Sequence, residues 1–376
     1  MYIAKGKHGN NNVGVRSPDG IQWTKYVSVD EVAGLISQSS NAGTVNDPKT
    51  LNLNGFLTLE MFGQILSIIE QSGKYVNLGL TNCTTESSTW FAVTTLPSTG
   101  KNKITGISFP NNIKTLPEAT SFTNLRTVTL NNIVTLGISC FRSLSNISAM
   151  DLSKVTSIGE YCFYNFKALT SVNLSSLNSC GAGAFARSSI VNFITGNNTR
   201  FSTIENGKAL VQNGNYLISY PSASGTLTIP GVTRVGPAAF GGWISNLTLP
   251  DVTRLDYSAF YIISYLSSLI AINVTQIDNG AFSSCFHNQE GATITLKLGK
   301  TAPILGHGLF DNDNSTNPVG TVKVLIPTGA TGYGSAPTNT TQNCWANGLR
   351  GGGWNGSSMT NTTRLKSTIT VQFQNY

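Results

Sequence analysis

The chain has 376 residues, 40% hydrophobic and only 11% charged, less than half of the roughly 25% charge content of ordinary soluble domains. Lys and Arg outnumber Asp and Glu by 24 to 17, a net charge of +7. This composition excludes a coiled coil and a highly charged disordered chain, and with no run of about 18 apolar residues it excludes a transmembrane helix and membrane insertion.

Residues 1–49 read as an N-terminal flank. The opening MYIAKGKHGNNNVGV has no apolar run of the length that a signal peptide requires, and 1–27 shows no clear period. Residues 28–38 (SVDEVAGLISQ) read as a short helix. Residues 50–100 read as an N-terminal cap built on a longer, helix-containing repeat. In it 51–53 is a strand, Thr58 an N-cap, LEMFGQILSIIEQ an amphipathic helix, Gly73 a C-cap candidate and 75–80 the next strand.

Residues 101–327 are governed by a repeat. Its register is set by Phe122, Phe141, Phe163, Phe185, Phe240, Phe260, Phe282 and Phe310, spaced 19, 22, 22, 55, 20, 22 and 28 residues apart. Most of these spacings fall in or next to the leucine-rich-repeat window of 20–29 residues. Each Phe is preceded by a strand-like phrase and a turn. The phrases LRTVTL (125–130), ISAMDL (147–152) and LTSVNL (169–174) alternate with period two, so Leu and Val point one way and Thr, Ser and Asn the other. One repeat cannot cover its own apolar face. Stacking coils about 4.8 Å apart buries a continuous ladder, with one Phe rung per coil.

The segments VTSIGEYCFYNFKALTSVNL (155–174) and VTRVGPAAFGGWISNLTLP (232–250) carry the phrase V-T-x-I-G-x-x-A-F, a short turn, then L-x-x-I/V-x-I/L-P. This phrase resembles that of the BspA-like leucine-rich repeat family. The 55-residue gap agrees: FSTIENGKALVQNGNYLISYPSASGTLTIP (201–230) looks like that family's inserted hairpin, at about 201–225, with Asn206-Gly207 and Asn213-Gly214 as tight turns. The closing TAPILGHGLF and VKVLIPTGATGYGS are similar to its last repeat. The fold expected is an α/β repeat solenoid. It is a leucine-rich-repeat horseshoe with a concave parallel β-sheet, short helices or turns on the convex side and one inserted β-hairpin. Residues 328–376 then form a C-terminal cap and tail whose end, RLKSTITVQFQ (364–374), alternates as a final strand.

Catalytic chemistry is not visible. GAGAFA (181–186) matches a dinucleotide fingerprint, but Phe185 lies on the repeat register and the repeat explains the glycines. His8, His287 and His307 have no obvious acid or nucleophile partners. Asp311-Asn-Asp313 starts like a calcium loop but lacks the Gly at position 6 and the Glu at position 12. Cys140 and Cys162 hold the same position in adjacent repeats, and their parallel Cβ vectors favour buried free thiols over a bridge. Over half of the positive excess lies beyond Asp313, in Lys323, Arg350, Arg364 and Lys366. Without a dense Lys/Arg run it reads as a solvated tail and not a nucleic-acid patch. No enzyme, cofactor or metal is expected.

A solenoid of this kind binds with its concave sheet. The period places Thr127, Thr129, Asp151, Ser171, Asn173, Thr228, Asn246, Thr248, Asn273, Thr295 and Lys297 on that face. It carries little charge and no aromatic residue, so it suits hydrogen bonding to sugars or a neutral polymer better than a protein hot spot. Trp243, Tyr257, Tyr261 and Tyr265 read as packing beneath the turns. Trp345 and Trp354 read as contacts of the tail, docked on the last repeat as a cap or on a neighbouring subunit.

Two functions follow. The family resemblance implies an extracellular or cell-surface adhesion protein, since BspA-like proteins are generally surface or secreted and several adhere to host matrix proteins. The partner would be a protein or a glycan. The alternative is a structural subunit of an extracellular, phage or virion assembly that self-assembles through its termini.

Overall fold

The computed structural model describes residues 3–4, 12–17, 20–91, 99–241, 243–285, 291–311, 320–334, 345–353, 355 and 369–376. They form two compact units, Met1–Gly181 and Ala182–Tyr376.

The first unit begins with antiparallel strands Ile3–Ala4, Asn12–Ser17 and Gly20–Lys25, where the sequence showed no period. The signal is in the two alternating runs, NVGVRS (12–17) and GIQWTK (20–25). Helix Val32–Gln38 lies inside the expected 28–38. Helix Leu59–Ser72 begins where the Thr58 hydroxyl accepts the Met61 N–H (3.2 Å) and ends at Gly73, whose φ of 67° suits glycine. It buries Phe62, Ile65, Leu66 and Ile69, a stripe at helical spacing.

Each coil then contributes to two parallel sheets. Strands Lys49–Phe56, Val76–Thr84, Ile104–Ser108 and Thr127–Thr129 make the first sheet. The two-residue strands Thr115–Leu116, Thr135–Leu136, Ser157–Ile158 and Ser179–Cys180 make the second. The glycine of the I-G step is a requirement of stacking. A Cβ on Gly159 would lie 2.5 Å from the Gly137 carbonyl carbon.

Turns, not helices, carry the segment around each repeat Phe. The residue two before the Phe is left-handed in seven coils, with φ between 47° and 59°: Ser139, Tyr161, Gly183, Ala238, Ser258, Gly280 and Gly308. Ser143, Asn165, Arg187, Ile262 and Ser284, two after it, are left-handed as well. Alternating left- and right-handed residues points successive N–H groups along the stack. The Ser139, Phe141 and Ser143 N–H groups therefore donate to the carbonyls of Glu160, Cys162 and Tyr164 (2.8, 2.9 and 2.9 Å). This satisfies backbone groups that an irregular buried turn would leave orphaned. Phe141 and Phe163 stack at 5.6 Å. The Cys140 and Cys162 thiols are free, and burial, with the Cys162 thiol beside it, holds the Cys140 thiol well above its ordinary value.

In the second unit the insertion is a three-stranded antiparallel meander, Phe201–Ile204, Ala209–Gln212 and Tyr216–Ser219. Left-handed Asn206, Gly207, Asn213 and Gly214 make its turns. Its last strand then pairs in parallel with Arg234–Val235, the first of a series continued by Arg254–Leu255, Gln276–Ile277 and Ile304–Leu305. The opposing sheet runs Gly225–Thr228, Ile244–Thr248, Ser268–Ala271, Thr293–Leu298, Gly320–Ile326 and Ile369–Asn375. The expected final strand is thus the parallel neighbour of 320–326.

Between the sheets Phe240, Phe260, Phe282 and Phe310 stack at 5.5, 5.2 and 5.0 Å with interplanar angles of 14° or less. Phe185 is edge-on to Phe193 instead. The column ends under a cap, where the Gly308 N–H donates to the Gly351 carbonyl (2.8 Å). Trp345 is fully buried there, beside Tyr333 (5.0 Å) and Phe373 (6.0 Å), and its indole N–H donates to the Pro303 carbonyl (3.0 Å). Both sheets and the column are therefore repeat solenoid in each unit.

Candidate functional site

The open face of the second unit's six-stranded sheet follows from strand register. One row is Thr226, Asn246, Ser268, Thr295, Lys323 and Gln372. The next is Thr228, Thr248, Ile270, Lys297, Leu325 and Gln374. Thr228, Asn246, Thr248, Thr295 and Lys297 therefore lie where the period placed them. Asn273 does not. It follows the strand, and its side-chain amide donates to the Pro250 carbonyl (2.6 Å) in the turn. The rung belongs to Ser268 and Ile270, because Leu269 and Ala271 are the buried pair. Lys297 is not a bare cation: its Nζ sits 3.9 Å from the centroid of the Tyr376 ring, a favourable cation–π geometry.

In the first unit Thr127 and Thr129 lie on the open face of the first sheet, opposite Gly106 and Ser108. Gly79 and Gly106 form notches there. A Cβ on Gly79 would be 2.1 Å from Asn52 Oδ1, and one on Gly106 would be 2.5 Å from Asn77 Oδ1 and Thr127 Oγ1. Amide and hydroxyl groups thus line a shallow depression of about 190 Å³ with Thr50, Ser108 and Thr129. A second depression of about 280 Å³ brings together Thr129, Asn131, Asp151 and Lys154. Asp151 lies outside the strands and caps its own turn, accepting the Ser153 N–H (2.9 Å). That hydrogen bonding, with Lys154 nearby, holds its carboxyl below the ordinary value. Ser171 and Asn173 are in strand Ser171–Asn173, and Asn173 caps likewise, accepting the Ser175 N–H (3.1 Å).

Two surface features depart from the sequence reading, one absent from it and one placed differently. The first is a charged ladder on the second unit's other sheet. Asp256, nearly buried, accepts from Arg234 Nε (2.7 Å) and the Tyr216 hydroxyl (2.7 Å) and pairs with Arg254 (3.2 Å). Arg254 reaches on to Asp278 (2.6 Å). Arg234 also lies over the Tyr216 ring at 4.5 Å. Burial, then the bond to Asp256, pushes the Tyr216 hydroxyl upward, and Asp256 pushes the Arg234 guanidinium upward. The signal was in register: V-T-R-V-G, V-T-R-L-D and V-T-Q-I-D place Arg, Arg and Gln at one repeat position and two acids at another. These groups saturate one another, so the ladder reads as a stabilising spine.

The second is aromatic. Trp243, Tyr257 and Tyr265 do not pack beneath the turns: they are 67%, 46% and 48% exposed. The repeat core is already filled by Phe240 and Phe260, so nothing remains for these rings to cover. Trp345 is the opposite case: it is buried as the cap of the last coil, one of the two placements expected of it. Trp354, His8, His287, Asp313 and Cys344 lie outside the described residues. His307 Nδ1 is 3.0 Å from the Gly352 carbonyl oxygen. Among the described residues no group of three or more His, Cys, Asp or Glu is placed to hold a metal ion, and no helix is long and apolar enough to cross a membrane.

Residues 99–207 and 215–315 match the BspA type leucine-rich repeat region in six copies, more than half of the chain. No curated protein matches. Among solved structures, the pneumococcal vaccine antigen PcpA is similar at 16% identity, over 64% of this chain and 78% of that one, with a TM-score of 0.42. A leucine-rich repeat protein of Eubacterium ventriosum is similar at 19% identity, over 61% and 68%, with a TM-score of 0.42. A leucine-rich cell surface protein of Faecalibacterium prausnitzii is similar at 14% identity, over 68% and 64%, with a TM-score of 0.30.

Proposed function

Because the chain belongs to the BspA-type leucine-rich repeat family, we propose that it is a non-enzymatic binding protein of the cell surface or extracellular space, presenting a sheet face to a protein or glycan partner. The observation that carries this reading is the pair of aligned rows across six strands. Their side chains are mostly neutral hydrogen-bonding groups, held at strand spacing above a buried apolar core. Such a surface offers rigid, regularly spaced donors and acceptors and little to activate a nucleophile or polarise a bond. The test is a screen of the intact chain against immobilised glycans and extracellular matrix proteins. Saturable binding that falls when Thr248 and Thr295 are both changed to Arg supports the proposal. Binding unaffected by those changes, or none at all, counts against the sheet face.

A second reading is a structural subunit of an extracellular or virion assembly. It is favoured by the position of Ile369–Asn375 as an outer strand of its sheet, where a chain from a neighbour can add by main-chain pairing. Size-exclusion chromatography with light scattering separates the two. A 40.0 kDa monomer speaks for the binding module. An oligomer that dissociates on deletion of 369–376 speaks for assembly.

A further inference from the structure

Trp243 and Tyr265 occupy the same place in consecutive coils, just before strands Ile244–Thr248 and Ser268–Ala271. Their rings stack at 4.5 Å with an interplanar angle of 28° while both remain largely in solvent. The backbone fixes the pair from beneath: the Trp243 carbonyl accepts the Gly225 N–H (2.8 Å), and the next side chain, Ile244, is fully buried. By register the coil before Trp243 supplies Ser224 and Gly225 at this level, small residues that do not cover an indole. Large aromatic surface left exposed on a filled solenoid is not explained by folding, because it contributes nothing to the core.

Polar groups lie alongside. The Ser267 hydroxyl donates to the Ser245 carbonyl (2.8 Å) and lies 3.4 Å from Asn246 Oδ1. The Asn246 amide donates to Thr226 Oγ1 (3.2 Å) and to Ser245 Oγ (3.3 Å). All are short, surface-facing side chains spread over three coils. Residues 235–250 and 257–275 contain no charged side chain.

We propose that Trp243 and Tyr265 form a sugar-binding platform, with Ser245, Asn246, Ser267 and Thr226 as its hydrogen-bonding rim, and that its ligand is a pyranose of a neutral glycan. The proposal rests on the surface-binding reading above and specifies its ligand class. A pyranose has an apolar face of C–H groups that lies flat on an indole and a rim of hydroxyls that need donors and acceptors at its edge; this patch offers both. These two segments offer no counter-ion to the anions of sialylated or sulfated sugars, which favours a neutral ligand. A protein hot spot would call for a desolvated pocket, and these rings stand in the open.

The test uses the full chain on an array of neutral oligosaccharides, with sialylated and sulfated glycans beside them, followed by calorimetric titration of the strongest neutral hit. Trp243→Ala should weaken binding at least tenfold, Tyr265→Ala and Asn246→Ala severalfold, and Trp243→Phe by no more than about threefold. Melting temperature should stay unchanged, because the removed ring is exposed. Failure of every neutral glycan to bind, binding only of anionic glycans, or undiminished binding by Trp243→Ala overturns the proposal. A chain that captures a matrix protein but no neutral glycan removes the sugar platform and leaves the surface-binding reading standing. A chain that binds neither glycans nor proteins removes both.

Discussion

Phe260 offers the sharpest test of the stacking argument. Its ring is fully buried between Phe240 at 5.5 Å and Phe282 at 5.2 Å, nearly parallel to both. Truncating a buried Phe to Ala costs about 3–5 kcal/mol through lost burial and the cavity left behind. The coils on either side are tied to each other by turn-to-turn hydrogen bonds, such as Phe260 N–H to the Ala281 carbonyl at 2.7 Å. That leaves little freedom to collapse, so Phe260→Ala should fall in the upper part of this range, at about 4–5 kcal/mol. Phe260→Leu keeps most of the volume and should cost about 1.5 kcal/mol. Urea unfolding of the intact chain, followed by circular dichroism and by tryptophan fluorescence, gives both values. A loss below 2 kcal/mol for Phe260→Ala, or an equal loss for Phe260→Leu, would show that the column is not what couples the coils.

The remaining expectations concern the ladder, the strained turns and the thiols. Asp256→Ala removes the shared partner of Arg234, Arg254 and Tyr216. With both guanidiniums part-solvated the cost should be about 2 kcal/mol, well below that of a fully buried pair, and a wild-type melting curve would refute it. Ser258 has φ 51° at a position filled by glycine in three other coils. Ser258→Gly should therefore stabilise by about 0.5–1 kcal/mol in the same unfolding assay, whereas Gly280→Ala should destabilise by a similar amount. Burial pushes the Cys83 thiol up to about 11 and those of Cys180 and Cys285 up to about 12. In a Cys344→Ser background these thiols should resist a disulfide reagent at pH 8 until the chain unfolds. Because their folded values lie above the unfolded one, near 9, their contribution to stability is intact below that pH. It falls as pH rises toward the folded values, so chemical denaturation at pH 10.5 should give a lower midpoint than at pH 8.

The sequence alone determined the coil. A Phe every 20 or so residues, an alternating phrase before it and a Gly after the second strand can be satisfied together only by stacking, so period, insertion and family resemblance all pointed to one architecture. The turn chemistry of Asn206-Gly207 and Asn213-Gly214 located the meander for the same local reason. What the tertiary structure decided is what lies opposite what. In SLIAIN (268–273) four consecutive apolar residues leave the alternation without a parity, and only pairing with 246–248 and 295–297 puts Ser268 and Ile270 on the open face and removes Asn273 from it. Trp243 and Trp345 are equally apolar in sequence, yet one stands beside a core already full and the other closes a column whose last coil had no neighbour. Whether a ring is buried depends on the space left by residues distant along the chain, and no local pattern records that.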